Sequence, residues 1–225
     1  MSLFITTLES DPLFFFSVVL TVVVAITLHE LAHGIAAIKH GDQTPIHSGH
    51  MTLNPLVHMG PFSLIVLAVA GIAWGAMPID PTRMRGKYAE AVVAAAGPAM
   101  NLLLGLLGMA VLIVLVKMWD PSIVLGQVLQ RQTPSTVSTT QGNTLFFVLI
   151  FSWINFVLCM FNLMPVPPLD GSHILANFNR DYRNFIYDPQ RQGLALMGLF
   201  IVFFMARFFF DWSLQLAQTI YQTFV

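Results

Sequence analysis

Two histidines four residues apart, His29 and His33, flank a single glutamate, Glu30, after sixteen residues (13–28) that carry no charge. Residues i and i+4 share one face of a helix, so both imidazoles can reach one metal ion while the carboxylate stands beside it. Imidazole nitrogens suit zinc, and a carboxylate next to that ion is placed to take a proton from water. A catalytic zinc site uses three protein ligands and keeps a fourth position open. The third ligand must be another ionisable group in an apolar setting, and Asp170 answers well. It follows 38 residues, 132–169, without a charge, and it ends the proline-rich stretch 164–170, MPVPPLD. Prolines at 165, 167 and 168 remove backbone donors and favour an extended chain, and Gly171 allows a sharp turn behind the carboxylate. The expected arrangement is one zinc per chain on His29, His33 and Asp170, with Glu30 as general base.

The elements that must position these groups are membrane helices. The chain has 225 residues, of which 56% are hydrophobic and 9% charged, against about 25% charged in soluble domains. Mean hydropathy is +0.74. This composition predicts an all-α polytopic membrane protein, with residues 1–225 forming a single membrane-embedded domain. The net charge of −1 says nothing about nucleic acid, and with no large basic patch no nucleic-acid partner is expected. Ionisable groups at membrane depth are costly and mark function by default, which is why the His29–His33 segment stands out.

Apolar runs at 13–38, interrupted only by the His29–His33 motif, at 91–116 and 144–164 without charge, and a last one from 193 towards 221, predict four transmembrane helices. The shorter run 61–78, flanked by prolines and containing Gly71 and Gly75, suits a re-entrant segment. Residues 40–58 are rich in turn formers and include a short strand-like stretch near 46–53. Residues 131–143 are polar and read as a loop outside the membrane. Basic residues mark the cytoplasmic side. Arg83, Arg85 and Lys87 precede the run at 91–116, and Arg180, Arg183 and Arg191 follow the one at 144–164. With both clusters cytoplasmic, Asp170 and the histidines meet near that face only if the 61–78 run dips in and returns. The expected location is a cell membrane, multi-pass, with the site inside the bilayer towards the cytoplasm and both termini outside.

The three motifs His29-Glu30-Leu31-Ala32-His33, Gly97-Pro98-Ala99-Met100-Asn101 and Asn162 through Gly171, in that order on successive apolar segments, resemble the site-2 protease family of intramembrane zinc metalloproteases. The likeness is to the short branch without PDZ or CBS domains. Leu53-Asn54-Pro55 and the stretch 74–81 agree with it. The resemblance implies cleavage of transmembrane or membrane-proximal protein segments within the lipid bilayer. It implies zinc ligands at His29, His33 and Asp170 and a catalytic Glu30. It further implies substrate binding near Asn162, Pro165 and Pro167. Asn101 either faces the cavity for substrate or bonds between helices, as Asn commonly does in membranes. Two positions depart from the family pattern. Ala32 replaces a glycine, and Ser172 replaces the second glycine after the aspartate, which makes that turn less permissive. His173 could then compete as a ligand.

His40, His47, His50 and His58 read as structural, with His58 the candidate to orient a group near the metal. The 46–53 stretch could pair with an extended substrate by β-addition. Arg207 and Asp211, spaced i,i+4, are expected to pair. Competing readings are a zinc transporter, which would want ionisable groups at several depths and often inverted repeats, and an inactive family member that binds membrane helices. The oligomeric state is open at this level.

Overall fold

The computed structural model describes residues 3–188, 193, 197–198, 200–202 and 206–224, the side chains of 206 and 207 excepted. Helix α1 spans Pro12–Lys39. Its start follows from sequence: the Asp11 carboxylate accepts from the amide of Phe14 (3.0 Å), and Pro12 sits in the first turn, where no amide is needed. Helix α2 is Pro55–Ala70, α3 is Ala89–Trp119 and α4 is Thr139–Asn162. Ser138 and Gln141 close a capping box at the head of α4. Helices α1, α3 and α4 are each long and apolar enough to cross a membrane. They pack against one another around Ile26, Leu112, Val116, Leu149 and Phe156.

Helix α5, Asp170–Phe178, lies against α3, and a last helix α6, Ala206–Phe224, packs on α4 and α3. The Trp153 indole N–H holds α6 through the Phe210 carbonyl and Ser213 Oγ. Phe209, Ser213, Ala217 and Tyr221 form its buried stripe, while Asp211 and three glutamines make it too polar to count with the three spans. The expected count of four crossings is therefore met by three helices among the described residues. The run 193–221 falls partly outside them, and so does the side chain of Arg207 that was expected to pair with Asp211.

The 55–80 region is a hairpin. Asn54 caps α2, the helix breaks at Gly60 (φ 67°, ψ 165°), and Gly71 ends it in the left-handed region. The chain then runs back in extended form. Ser63 Oγ donates to the Trp74 carbonyl and accepts from the Trp74 amide, and the Ala76 amide donates to the His58 carbonyl. The helical arm after Gly60 is about 15 Å long, half the thickness of a hydrocarbon core. The chain thus folds back on itself over the 61–78 run, and its re-entry into a bilayer stays a proposal.

The 46–53 stretch is not a strand. Thr44–His47 is a helical turn, and the following residues are turns and bends. The cause is Asp42, whose carboxylate accepts from both the amide and the hydroxyl of Thr44 and so starts a helical turn. Its other oxygen accepts from the Asp80 amide (2.7 Å), pinning the far end of the hairpin to the end of α1. Asp42 is fully buried. Burial pushes its carboxyl upward, but the Thr44 hydroxyl and the Asp80 and Thr44 amides outweigh this and hold it below the usual carboxylate range.

Candidate active site

His29 and His33 stand on the inner face of α1, both buried, with their Nε2 atoms 3.0 Å apart. Asp170, the first residue of α5, meets them: Oδ2 is 3.2 Å from His29 Nε2 and Oδ1 is 3.3 Å from His33 Nε2. Asp170 is helical here, not part of the extended stretch expected from sequence, and a carboxylate is favoured in a first helical turn. Gly171 is needed for close approach, because a Cβ there would collide with the backbone of Leu163 and Met164. Ser172 tolerates the missing glycine. It is helical, buried, and its Oγ donates to the Leu169 carbonyl (2.7 Å).

The proton positions follow from a chain of hydrogen bonds anchored on a carbonyl. The Phe151 carbonyl can only accept, so Asn155 Nδ2 faces it (2.9 Å) and Asn155 Oδ1 faces Asn101. Asn101 Nδ2 then donates to Asn155 (3.1 Å), which leaves Asn101 Oδ1 to accept from His29 Nδ1 (2.6 Å). His33 Nδ1 faces the Val93 carbonyl at 2.7 Å and is a donor for the same reason. In the neutral rings both Nε2 atoms are therefore bare lone pairs. They converge with a carboxylate whose Oδ2 is buried without a hydrogen bond. Three acceptors this close repel one another unless a cation sits among them. The residues fit a zinc ion by donor chemistry, and each histidine carries the outer hydrogen bond that metal-ligating imidazoles use. Among the described residues these are the His/Cys/Asp/Glu atoms grouped closely enough to hold a metal.

Gly97 makes room for this set. A Cβ there would lie 2.5 Å from both Cε1 and Nε2 of His29 and would also strike His33 Nε2. The Gly97-Pro98 motif thus brings the backbone of α3 flush against the imidazoles.

Glu30 is buried, one residue round the helix, and makes no hydrogen bond or ion pair among the described residues. It lines a cavity of about 770 Å³ shared with both histidines, Asp170, Asn162 and the returning arm of the hairpin. That arm has an alternating backbone. Trp74, Ala76 and Asp80 bond inward, whereas the amides of Ala73, Gly75, Met77 and Ile79 make no hydrogen bond among the described residues, and all four of these residues line the cavity.

Of the residues expected to touch substrate, Asn162 ends α4 on the cavity wall. Pro165 and Pro167 do not line the cavity. Pro168 and Leu169 do, while the Pro165 carbonyl accepts from the Tyr182 hydroxyl (2.7 Å). Asn101 has both ends of its amide committed to His29 and Asn155. His173 lies on the cavity wall, bonded to the Tyr187 hydroxyl through Nδ1 at 3.4 Å, one turn past Asp170 and outside the ligand group. His40 bonds the Arg85 carbonyl, and His50 bonds Ser48. Sequence reading missed Asn155. Its signal was a lone amide within the apolar run 145–161, seven residues before Asn162 and so on the same helical face.

The profile of peptidase family M50 matches residues 15–205. The chain is 37% identical over 162 residues, 71% of its length, to a Bacillus subtilis protein described as "Putative zinc metalloprotease YwhC", covering 67% of that protein. It is 24% identical over 208 residues, 84% of its length, to "Putative zinc metalloprotease Rip2" of Mycolicibacterium smegmatis, covering 71% of that protein. No solved structure matches the chain.

Proposed function

The chain belongs to peptidase family M50, and from that premise we propose that it is an intramembrane zinc endopeptidase that cuts transmembrane or membrane-proximal protein segments inside the bilayer. One observation carries the reading. Two bare imidazole nitrogens and a buried carboxylate converge beside Glu30 on the wall of a single cavity among helices long enough to span a membrane. Zinc bound at His29, His33 and Asp170, one ion per chain, supplies Lewis acidity, which lowers the pKa of water to about 7 and polarises a carbonyl.

The protein's own groups do the rest. Glu30 takes the proton of the attacking water on a carboxylate oxygen and returns it to the departing amine nitrogen. Its position against Gly75 of the hairpin, without a competing hydrogen bond among the described residues, leaves both oxygens available. A helical substrate hides its peptide carbonyls, so it must be extended before attack. The unpaired amides of Ala73, Gly75, Met77 and Ile79 offer an edge along which an extended peptide adds as a strand, directly over Glu30. This arm, and not residues 46–53, takes the role of strand-like partner. Asn162 at the opposite wall is placed to bond the unwound segment.

His29 lies 16 residues beyond Leu13, about 24 Å along α1, which supports a site within the hydrocarbon towards the side of Arg83 and Arg183. A transport pathway would distribute ionisable groups at several depths, and the described residues hold one such cluster. The test compares the native chain with Glu30→Gln on a transmembrane reporter in proteoliposomes. The expected result is equal zinc content and cleavage at or below about 1% of native. Near-native cleavage by the variant, or zinc flux without cleavage by the native chain, would overturn the reading.

A further inference from the structure

His58 is 3% exposed and stands in the first turn of α2, before the break at Gly60. Its Nε2 lies 2.7 Å from the Thr52 carbonyl, which can only accept, so Nε2 carries the proton. In the neutral ring Nδ1 is then a bare lone pair, and it is buried with no hydrogen-bond partner. An unsatisfied buried acceptor costs about 1–3 kcal/mol and calls for a function or a partner.

A functional group in the neighbourhood is Glu30. The Glu30 side chain and the His58 backbone meet the same dipeptide of the hairpin arm. Gly75 packs on Glu30 so tightly that a Cβ would lie 2.7 Å from Oε1, and the next amide, Ala76, donates to the His58 carbonyl at 2.9 Å. His58 is also near enough to Glu30 to act on it electrostatically. A carboxylate and a bare Nδ1 are both acceptors, so neither can satisfy the other directly. A water molecule, with two O–H bonds, donates to both.

We propose that His58 is a positioning residue for Glu30, its Nδ1 and the Glu30 carboxylate holding one bridging water that fixes the carboxylate's orientation. The inference rests on the reading of Glu30 as the base. It gives His58 two duties. Its backbone carbonyl holds the Ala76 amide of the substrate-binding arm, and its ring orients the base beneath that arm. Docking of a peptide along the arm is thereby tied mechanically to the aim of Glu30.

Two near-isosteric substitutions separate the chemistry from the fold. The Oδ1 of Asn overlays Nδ1 of His, so His58→Asn keeps the acceptor and loses the donor to Thr52. The Nε2 of Gln overlays Nε2 of His, so His58→Gln keeps the bond to Thr52 and loses the acceptor. With native zinc content in each, His58→Gln is expected to lower kcat about 10–100-fold at unchanged KM, and His58→Asn to stay within about threefold of native. Equal losses in the two variants, or a loss confined to His58→Asn, would make the role structural and overturn the proposal. No loss in either would also overturn it.

A second measurement needs no cleavage. In protein labelled with ¹⁵N-histidine, Glu30→Ala should shift the His58 Nδ1 resonance, and His58 should keep its Nε2-protonated tautomer. An unmoved resonance refutes the bridge. If the native chain cleaves nothing yet the resonance moves, the protease reading fails while the His58–Glu30 link stands.

Discussion

Gly97→Ala separates packing from propensity most sharply. In the interior of a helix this change ordinarily stabilises by about 1 kcal/mol, because glycine loses more backbone freedom on folding. Gly97 lies inside α3 with no positive φ, so the backbone accepts alanine. The obstacle is the new methyl, which would sit 2.5 Å from Cε1 and Nε2 of His29, where ordinary contacts begin at 3.4 Å. Relief needs a shift of about 0.9 Å in the imidazole or in α3, and metal–ligand distances tolerate only about 0.2 Å. His29 cannot swing aside freely, since the Asn101 bond at its other nitrogen is already 2.6 Å long. Zinc affinity should fall at least about 100-fold, the upper end of what perturbing a ligand's surroundings does. Competition of purified protein against a chromophoric zinc chelator measures this, with cleavage followed in parallel. Gly126→Ala is the control: that glycine is helical and a Cβ meets nothing within 4 Å, so zinc affinity should not change. Native zinc affinity in Gly97→Ala would refute the placement of α3 against the imidazoles, and with it the account of the motif.

Asp170→Ala should strip most of the zinc and abolish cleavage, and retention of both would move the third ligand to another group such as His173. Asn155→Leu removes the anchor that orders Asn101 and through it the His29 tautomer, so zinc affinity should drop about 10–100-fold in the chelator competition while the helices stay intact by circular dichroism. Asp42→Asn should lower thermal stability in detergent by about 1–3 kcal/mol, because a charged acceptor of three hydrogen bonds becomes a neutral one. The Asp42 carboxyl is depressed in the fold, so its contribution is present above the unfolded value near 3.9 and is lost as pH falls through the folded value. A melting series should show the native chain losing its advantage over Asp42→Asn below about pH 4, and a constant gap would refute the assignment.

How much was legible in the sequence depended on whether the signal was local. The His29–His33 spacing fixes both imidazoles on one face of any helix that forms there, and 9% charge leaves little besides membrane helices for such runs. Asp170 stood out because a lone carboxylate after 38 uncharged residues has few roles besides a ligand or a turn. The strand-like reading of 46–53 failed because β-propensity describes a residue's fit to a neighbouring strand, and none lies beside it among the described residues. Asp42 starts a helical turn there instead.

What only tertiary structure decided was partnership. That Asn101, itself on the cavity wall, bonds His29 follows from a chain running to the Phe151 carbonyl, 50 residues away in sequence. That Ala73, Gly75, Met77 and Ile79 keep amides without a hydrogen bond among the described residues, with Gly75 against Glu30, follows from Ser63 and His58 holding alternate positions of the returning arm. A sequence determines which atoms can donate and accept and how they are spaced along one element. Which of them meet is set by the packing of α1, α3 and α4, where a single side chain's volume, such as the one absent at Gly97, determines whether three ligands converge.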